Sequence, residues 1–230
     1  MSGKPVHLTP AASEPAARKA SVRVRPKDAA ALILIDRSQK TPRVLMGRRA
    51  SGHVFMPDIY VFPGGRRDPG DHALPFSDDL HSHVLEKLLA APSTRPMTAR
   101  RARALALTSL REMHEETGIV AASGAPDLSR LRYIARAITP PGHVRRYDTH
   151  FFMAFCDETV FDLTQLRDTD ELEDLQWLDI AAISGVKLAS ITQLVLEDVK
   201  RLMEADNTLP FENPVPFYFM HHGRFVCRPL

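Results

Sequence analysis

Three carboxylates crowd into little more than one helical turn in the stretch Arg111-Glu112-Met113-His114-Glu115-Glu116-Thr117-Gly118-Ile119. Glu112 and Glu115 are three residues apart and Glu112 and Glu116 four, so on a helix all three share one face. Like charges at that spacing repel by a few tenths of a kcal/mol per pair. A hard divalent cation, which prefers oxygen ligands, removes that penalty. Gly118 suits the left-handed residue that ends a helix. A solvated acidic face with a glycine cap is the plainer account of a Glu-rich helix, so the flanking pattern has to decide.

The chain has 230 residues, enough for one domain with a sizeable core, and its 44% apolar and 25% charged content is that of a globular protein. The long apolar run at 29–35 is far too short to span a bilayer, so no membrane segment is expected. No apolar signal-peptide core stands at the N-terminus, which favours the cytoplasm. Two cysteines, Cys156 and Cys227, make no disulfide framework. Residues 1–27 hold six basic residues against Glu14, a charge of +5, which leaves −3 on the rest of a chain whose net charge is +2. A mildly acidic body argues against a nucleic-acid partner. The basic tail reads as a solvated leader.

Residues 1–26, rich in Ala, Pro, Ser and Lys, read as a disordered basic leader ahead of a single domain over 27–230. Strands are expected at 29–36 and 43–49, followed by a loop over 50–58. Ile59-Tyr60-Val61-Phe62 then forms a short strand, which Pro63-Gly64-Gly65 should end because proline cannot donate to a ladder. Arg66 to Asp71 is a charged turn. Residues 72–98 look like an irregular insertion with a short helix near 80–91. A helix with an apolar stripe through Leu105, Leu110 and Met113 runs from about 98 to 117. Further strands are expected at 131–138, 147–156 and 175–178. Ser190 and Gln193 have the spacing of a capping box that opens a second amphipathic helix. Residues 215–226 form a last strand or hairpin. Strands on both sides of two amphipathic helices imply an α/β/α sandwich with a mixed sheet between helices.

Two segments together resemble the Nudix hydrolase signature: a glycine, five residues, a glutamate, seven residues, then Arg-Glu-apolar-x-Glu-Glu-x-Gly-apolar. The second half matches at Arg111, Glu112, Met113, Glu115, Glu116, Gly118 and Ile119. The first half is displaced. After five intervening residues Gly65 is followed by Asp71, where the family has glutamate, and residues 72–110 separate Asp71 from Arg111. A branch related to the peroxisomal coenzyme A diphosphatases is similar in having a long insertion there. Gly52-His53-Val54-Phe55-Met56-Pro57 and Arg145-Arg146-Tyr147-Asp148-Thr149-His150-Phe151-Phe152 also resemble that branch. The resemblance covers about residues 29–178.

It implies hydrolysis of a diphosphate linkage in a small-molecule nucleoside diphosphate derivative, coenzyme A or acyl-coenzyme A first. ADP-ribose, dinucleotides and nucleotide sugars are the alternatives. A diphosphate can approach so many carboxylates only through bridging cations. Mg²⁺ or Mn²⁺ is therefore the expected cofactor, with Glu112, Glu115 and Glu116 as ligands and a backbone carbonyl of Gly64 or Gly65 in addition. Arg111 orients these glutamates. Glu171 or Glu173, shortly before Trp177, stands where some relatives carry the general base; Glu171 is the first choice, although the acidic loop 168–174 also reads as a simple solvated turn. Asp71, one methylene short of glutamate, ligates through water or caps its turn. Arg48, Arg49, Arg66 and Arg67 are the arginines available for phosphate. A nucleotide-sensing module without turnover is the competing reading, although its usual mark, loss of the box glutamates, is missing. The insertion at 72–98 could dock a partner, cover the substrate or pad a homodimer interface.

Overall fold

The computed structural model describes residues 6–7, 24–50, 58–92, 96–122, 124–159, 161–183 and 185–230. The loop 51–57 and most of the leader therefore lie outside the described residues. Within the leader, β1 (Val6–His7) pairs with residues 226 and 227.

The central strand is β2 (Lys27–Asp36), whose residues 29–35 are all buried. A strand covered on both faces needs apolar side chains pointing both ways, so an unbroken apolar run is the expected pattern. Around it stand β3 (Arg43–Arg49), β4 (Tyr60–Val61) and β5 (Gly64–Arg66). Then come β7 (Arg132–Ile138), β8 (Tyr147–Phe155), β10 (Leu172–Asp179) and the hairpin β11 (Pro216–His221) and β12 (Arg224–Pro229). The ladder runs β1-β12-β11-β7-β8-β2-β3-β10, with β4 on β3 and β5 on β2. β2 with β8 and β7 with β11 are parallel, whereas the other pairs are antiparallel, so the sheet is mixed. A small second sheet joins β6 (Val120–Ala121) to β9 (Phe161–Asp162).

Alternate residues of β2 enter two cores. Leu32 and Leu34 pack with α1 (Ser82–Ala90) and α2 (Ala99–Thr117), among Val84, Leu88, Leu105 and Met113. Ile33 and Ile35 pack on the other side with α3 (Ser190–Ala205), among Val195 and Val199. Each fully buried aliphatic side chain contributes about 1.5–3 kcal/mol. The arrangement is the expected sandwich. No helix among the described residues is long and apolar enough to cross a membrane.

Two local expectations are corrected. Pro63-Gly64-Gly65 does not end the pairing: Pro63 still accepts from the Leu32 N–H at 2.9 Å, and Gly64–Arg66 continue as β5 against Ala29, Ala30 and Ala31. Only the proline lacks a donor, and Gly64 is bare enough to lie where a Cβ would fall 2.6 Å from the Ala30 carbonyl oxygen. Ser190 does not cap α3. Ala189 is the extended residue before the helix and is buried, so Ser190 is already helical and α3 has no side-chain cap. The short helix expected within the insertion near 80–91 is α1, which puts the fully buried Val84 and Leu88 into the core beneath α2.

Candidate active site

α2 carries the acidic stretch on its last two turns. Thr98 opens the helix by accepting from the Arg101 N–H at 3.2 Å. Gly118 closes it at φ +78°, donating its N–H to the His114 carbonyl at 2.8 Å. Met113 faces the core, which turns Glu112 and Glu116 towards β5. The Gly64 N–H donates to Glu116 Oε2 at 2.7 Å. A Cβ on Gly65 would lie 2.5 Å from the Glu112 carboxylate.

Both carboxylates are buried. Burial pushes Glu112 up to about 7 against the opposing pull of Arg111, with Glu115 and Glu171 adding to the rise. Burial likewise pushes Glu116 up to about 8; the Gly64 N–H and the Arg49 charge oppose this, and Glu112 and Glu171 add to it. Arg49, at the end of β3, has its own pKa lowered by burial, which the charges of Glu116, Tyr147 and Glu171 offset in part.

Arg111 joins the separated halves of the signature. It donates to Asp71 at 2.8 Å, to Glu115 at 2.7 Å and to the Arg66 carbonyl at 3.1 Å, and it pairs with Glu112 at 2.9 Å. Asp71 sits in a 3-10 turn, Pro69–Ala73, and is buried. It also accepts from the Thr108 hydroxyl at 2.7 Å and the Asp68 N–H at 2.8 Å. Burial pushes Asp71 up, but these partners outweigh it and hold its carboxyl below the usual range. An open cleft of about 510 Å³ lies beside this cluster, between Arg66, Asp68, Gly70, Arg111 and Glu115.

The remaining arginines are spread out. Arg48 pairs with Glu173 at 3.0 Å and Asp58 at 3.3 Å. Arg67 pairs with Asp28 at 3.2 Å, which also holds Arg101. Arg66 is half exposed, 2.9 Å from Asp68.

The acidic loop is built rather than merely solvated. The Asp168 carboxylate accepts from the Asp174 and Leu175 N–H groups at 2.8 and 3.0 Å, beside the bulge in β10. Asp174 accepts from the Tyr60 hydroxyl and from Gln176. With Glu173 on Arg48, Glu171 is the carboxylate of this loop whose charge is felt by Glu112, Glu116 and Arg49.

The donors suit a hard cation: two desolvated carboxylates side by side, with glycine backbone against both. Glu115 is half exposed and turned to Arg111, and among the described residues no three acidic, histidine or cysteine side chains converge on one point.

No protein-family model matches the chain, and no curated protein matches it. Among solved structures it is similar to a Nudix hydrolase from Alicyclobacillus acidocaldarius. The identity is 25% and the TM-score 0.56, over 75% of this chain and 90% of that one. The fold is the Nudix fold. A MutT Nudix hydrolase from Burkholderia pseudomallei aligns at 16% identity and TM-score 0.48, over 76% of this chain and 99% of that one. The Nudix domain of Shewanella oneidensis NrtR, solved with ADP ribose, aligns at 17% and 0.47, over 82% and 92%. The first of these carries the weight, and it supports an enzyme that hydrolyses phosphorus-containing anhydrides.

Within this Nudix fold, sequence reasoning missed three contributors. The Gly64 N–H donates to Glu116, a contact that the expected carbonyl ligand did not include. Thr108 lies one turn before Arg111 on the same helix face, a spacing that could have flagged it. Thr169 donates to the Glu116 carbonyl at 3.1 Å, and nothing local in the sequence marks it.

Proposed function

We propose that this chain is a divalent-cation-dependent diphosphatase acting on a nucleoside diphosphate derivative, with coenzyme A or acyl-coenzyme A as its first substrate and ADP-ribose, dinucleotides and nucleotide sugars as alternatives. The supporting observation is the pair Glu112 and Glu116, buried together against Gly64 and Gly65 and both pushed towards neutral pH. Desolvated carboxylates whose arginine neighbours do not outweigh their burial are a seat for a cation.

Glu112, Glu116 and Glu115, with the Gly65 backbone, would hold it. Bound there, Mg²⁺ or Mn²⁺ would supply Lewis acidity and neutralise the diphosphate. Arg111, anchored on Asp71, keeps the glutamates from spreading as charge accumulates. Glu171 takes the proton of the attacking water, a role open to an exposed carboxylate whose charge reaches Glu112 and Glu116. Arg66, which lines the open cleft, and Arg49, whose charge interacts with that of Glu116, meet phosphate oxygens.

The coenzyme A assignment rests on the place and length of the insertion between Asp71 and Arg111. A substrate panel with Mg²⁺ tests it. Release of phosphopantetheine from coenzyme A is the expected result, and turnover of another member of the panel with none of coenzyme A would overturn the assignment. Glu115→Gln is expected to retain nucleotide binding and lose turnover. Wild type and variant with equal, negligible rates and intact binding would point instead to a sensor.

A further inference from the structure

The loop bearing Glu171 is fastened to the last turn of α2 by a hydroxyl close to Glu171 and by a backbone N–H earlier in the loop. Thr169 Oγ1 donates to the Glu116 carbonyl at 3.1 Å. The same oxygen accepts from the Leu172 N–H at 3.2 Å and, more weakly, from the Glu171 N–H at 3.4 Å. The Thr169 N–H closes the turn on the Leu172 carbonyl at 2.8 Å. Two residues earlier, the Arg167 N–H donates to the Thr117 carbonyl at 3.0 Å. Two otherwise unpaired carbonyls at the helix end are thereby satisfied by this loop. Gly118 makes the approach possible, because a Cβ there would fall 2.5 Å from the Gln165 carbonyl oxygen. The glycine that ends the helix therefore serves a second purpose, as the bare surface on which the loop sits.

We infer that Thr169 is a positioning residue: its hydroxyl ties the backbone of Glu171 to that of Glu116 and so sets where the Glu171 carboxylate stands relative to the buried glutamates. The inference rests on the reading of Glu171 as the general base. Loops without such ties sample many positions, and a misplacement of about 1 Å costs about a hundredfold in rate. Valine has the shape of threonine without the hydroxyl, and serine keeps the hydroxyl.

The test is a double-mutant cycle in the full-length protein with Mg²⁺, using Thr169→Val, Thr169→Ser and Glu171→Gln. Thr169→Val should lower kcat about tenfold or more, with KM and the Mn²⁺ dissociation constant changed less than about twofold. Thr169→Ser should recover most of that loss. In the Glu171→Gln background, Thr169→Val should alter kcat by less than about twofold, since the group it positions is gone. An equal loss in both backgrounds, or no loss from Thr169→Val where Glu171→Gln is impaired, overturns the inference. Amide exchange gives a readout free of turnover: the Leu172 N–H should exchange about tenfold faster in Thr169→Val than in wild type or Thr169→Ser. If Glu171→Gln proves fully active, the base assignment falls. The tie is then judged on exchange alone, and equal rates in all three proteins overturn it.

Discussion

Gly65 and Glu112 are in contact: the Glu112 carboxylate fills the space that a Cβ on Gly65 would occupy, 2.5 Å from its carboxyl oxygen. One glycine of the displaced half-signature thus shapes the acid of the other half. Gly65→Ala is expected to push Glu112 aside and lower kcat/KM by about a hundredfold, with a small change in denaturation midpoint. Gly64→Ala should behave differently. Its Cβ would meet the Ala30 carbonyl and the Ala31 backbone at 2.6 Å, neither of which can swing away. A loss of about 1–3 kcal/mol in urea denaturation is expected there. Full activity in Gly65→Ala would remove the argument for this contact.

Arg111 spans Asp71, Glu112, Glu115 and the Arg66 carbonyl, a set that needs a planar guanidinium with several donors. Arg111→Lys should lower kcat/KM by about tenfold or more while the far-ultraviolet spectrum is unchanged. Asp71→Asn should cost about 1–3 kcal/mol in stability, because its amide end cannot accept from both Thr108 and Arg111. A variant kinetically identical to wild type would show that Arg111 does not hold the glutamates.

In the metal-free protein, burial raises Glu112 to about 7 and Glu116 to about 8, against 4.5 for a free glutamate. The folded state then holds protons that the unfolded chain has already released. Stability is full below the unfolded value and falls as pH rises through the folded ones. The melting temperature without metal should therefore drop between about pH 5.5 and about pH 8.5. Mg²⁺ or Mn²⁺ requires the ionised forms, so its stabilisation should be larger at the higher pH. Thermal melts with and without cation at both pH values check both signs; a cation effect independent of pH would count against these two ligands.

Away from the site, Arg136 on β7 donates two hydrogen bonds, at 2.7 and 2.6 Å, to Asp148 on β8, and both residues are buried. Removing one partner strands the other charge. Asp148→Asn is expected to cost about 3–5 kcal/mol in chemical denaturation. Phe217 stacks over the guanidinium at 4.5 Å and should limit the loss only slightly.

Much of this was legible in the chain itself. The unbroken apolar run of β2 has the pattern of a strand buried on both faces, and Thr98 to Gly118 bracket a helix with a cap at each end. The carboxylates at 112, 115 and 116 mark one face of that helix by spacing alone. These are local properties, written in periodicity and end signals. What periodicity cannot carry is the meeting of distant segments. That Asp71 returns to Arg111 across residues 72–110, that Gly64 and Gly65 rejoin the ladder against β2, and that Thr169 ties the Glu171 loop to Glu116 are all consequences of tertiary packing.

The acidic stretch that constrains the chain shows the division most plainly. Its residue types and spacing determined that a helix would end there with three carboxylates on one side. Only the tertiary structure decided that Glu112 and Glu116 are buried and destabilised as charges while Glu115 stays half exposed on Arg111. The reason is physical: spacing sets which side chains share a face, but desolvation depends on what is packed against that face, and here it is two glycines from a strand 47 residues earlier than Glu112 in the case of Gly65.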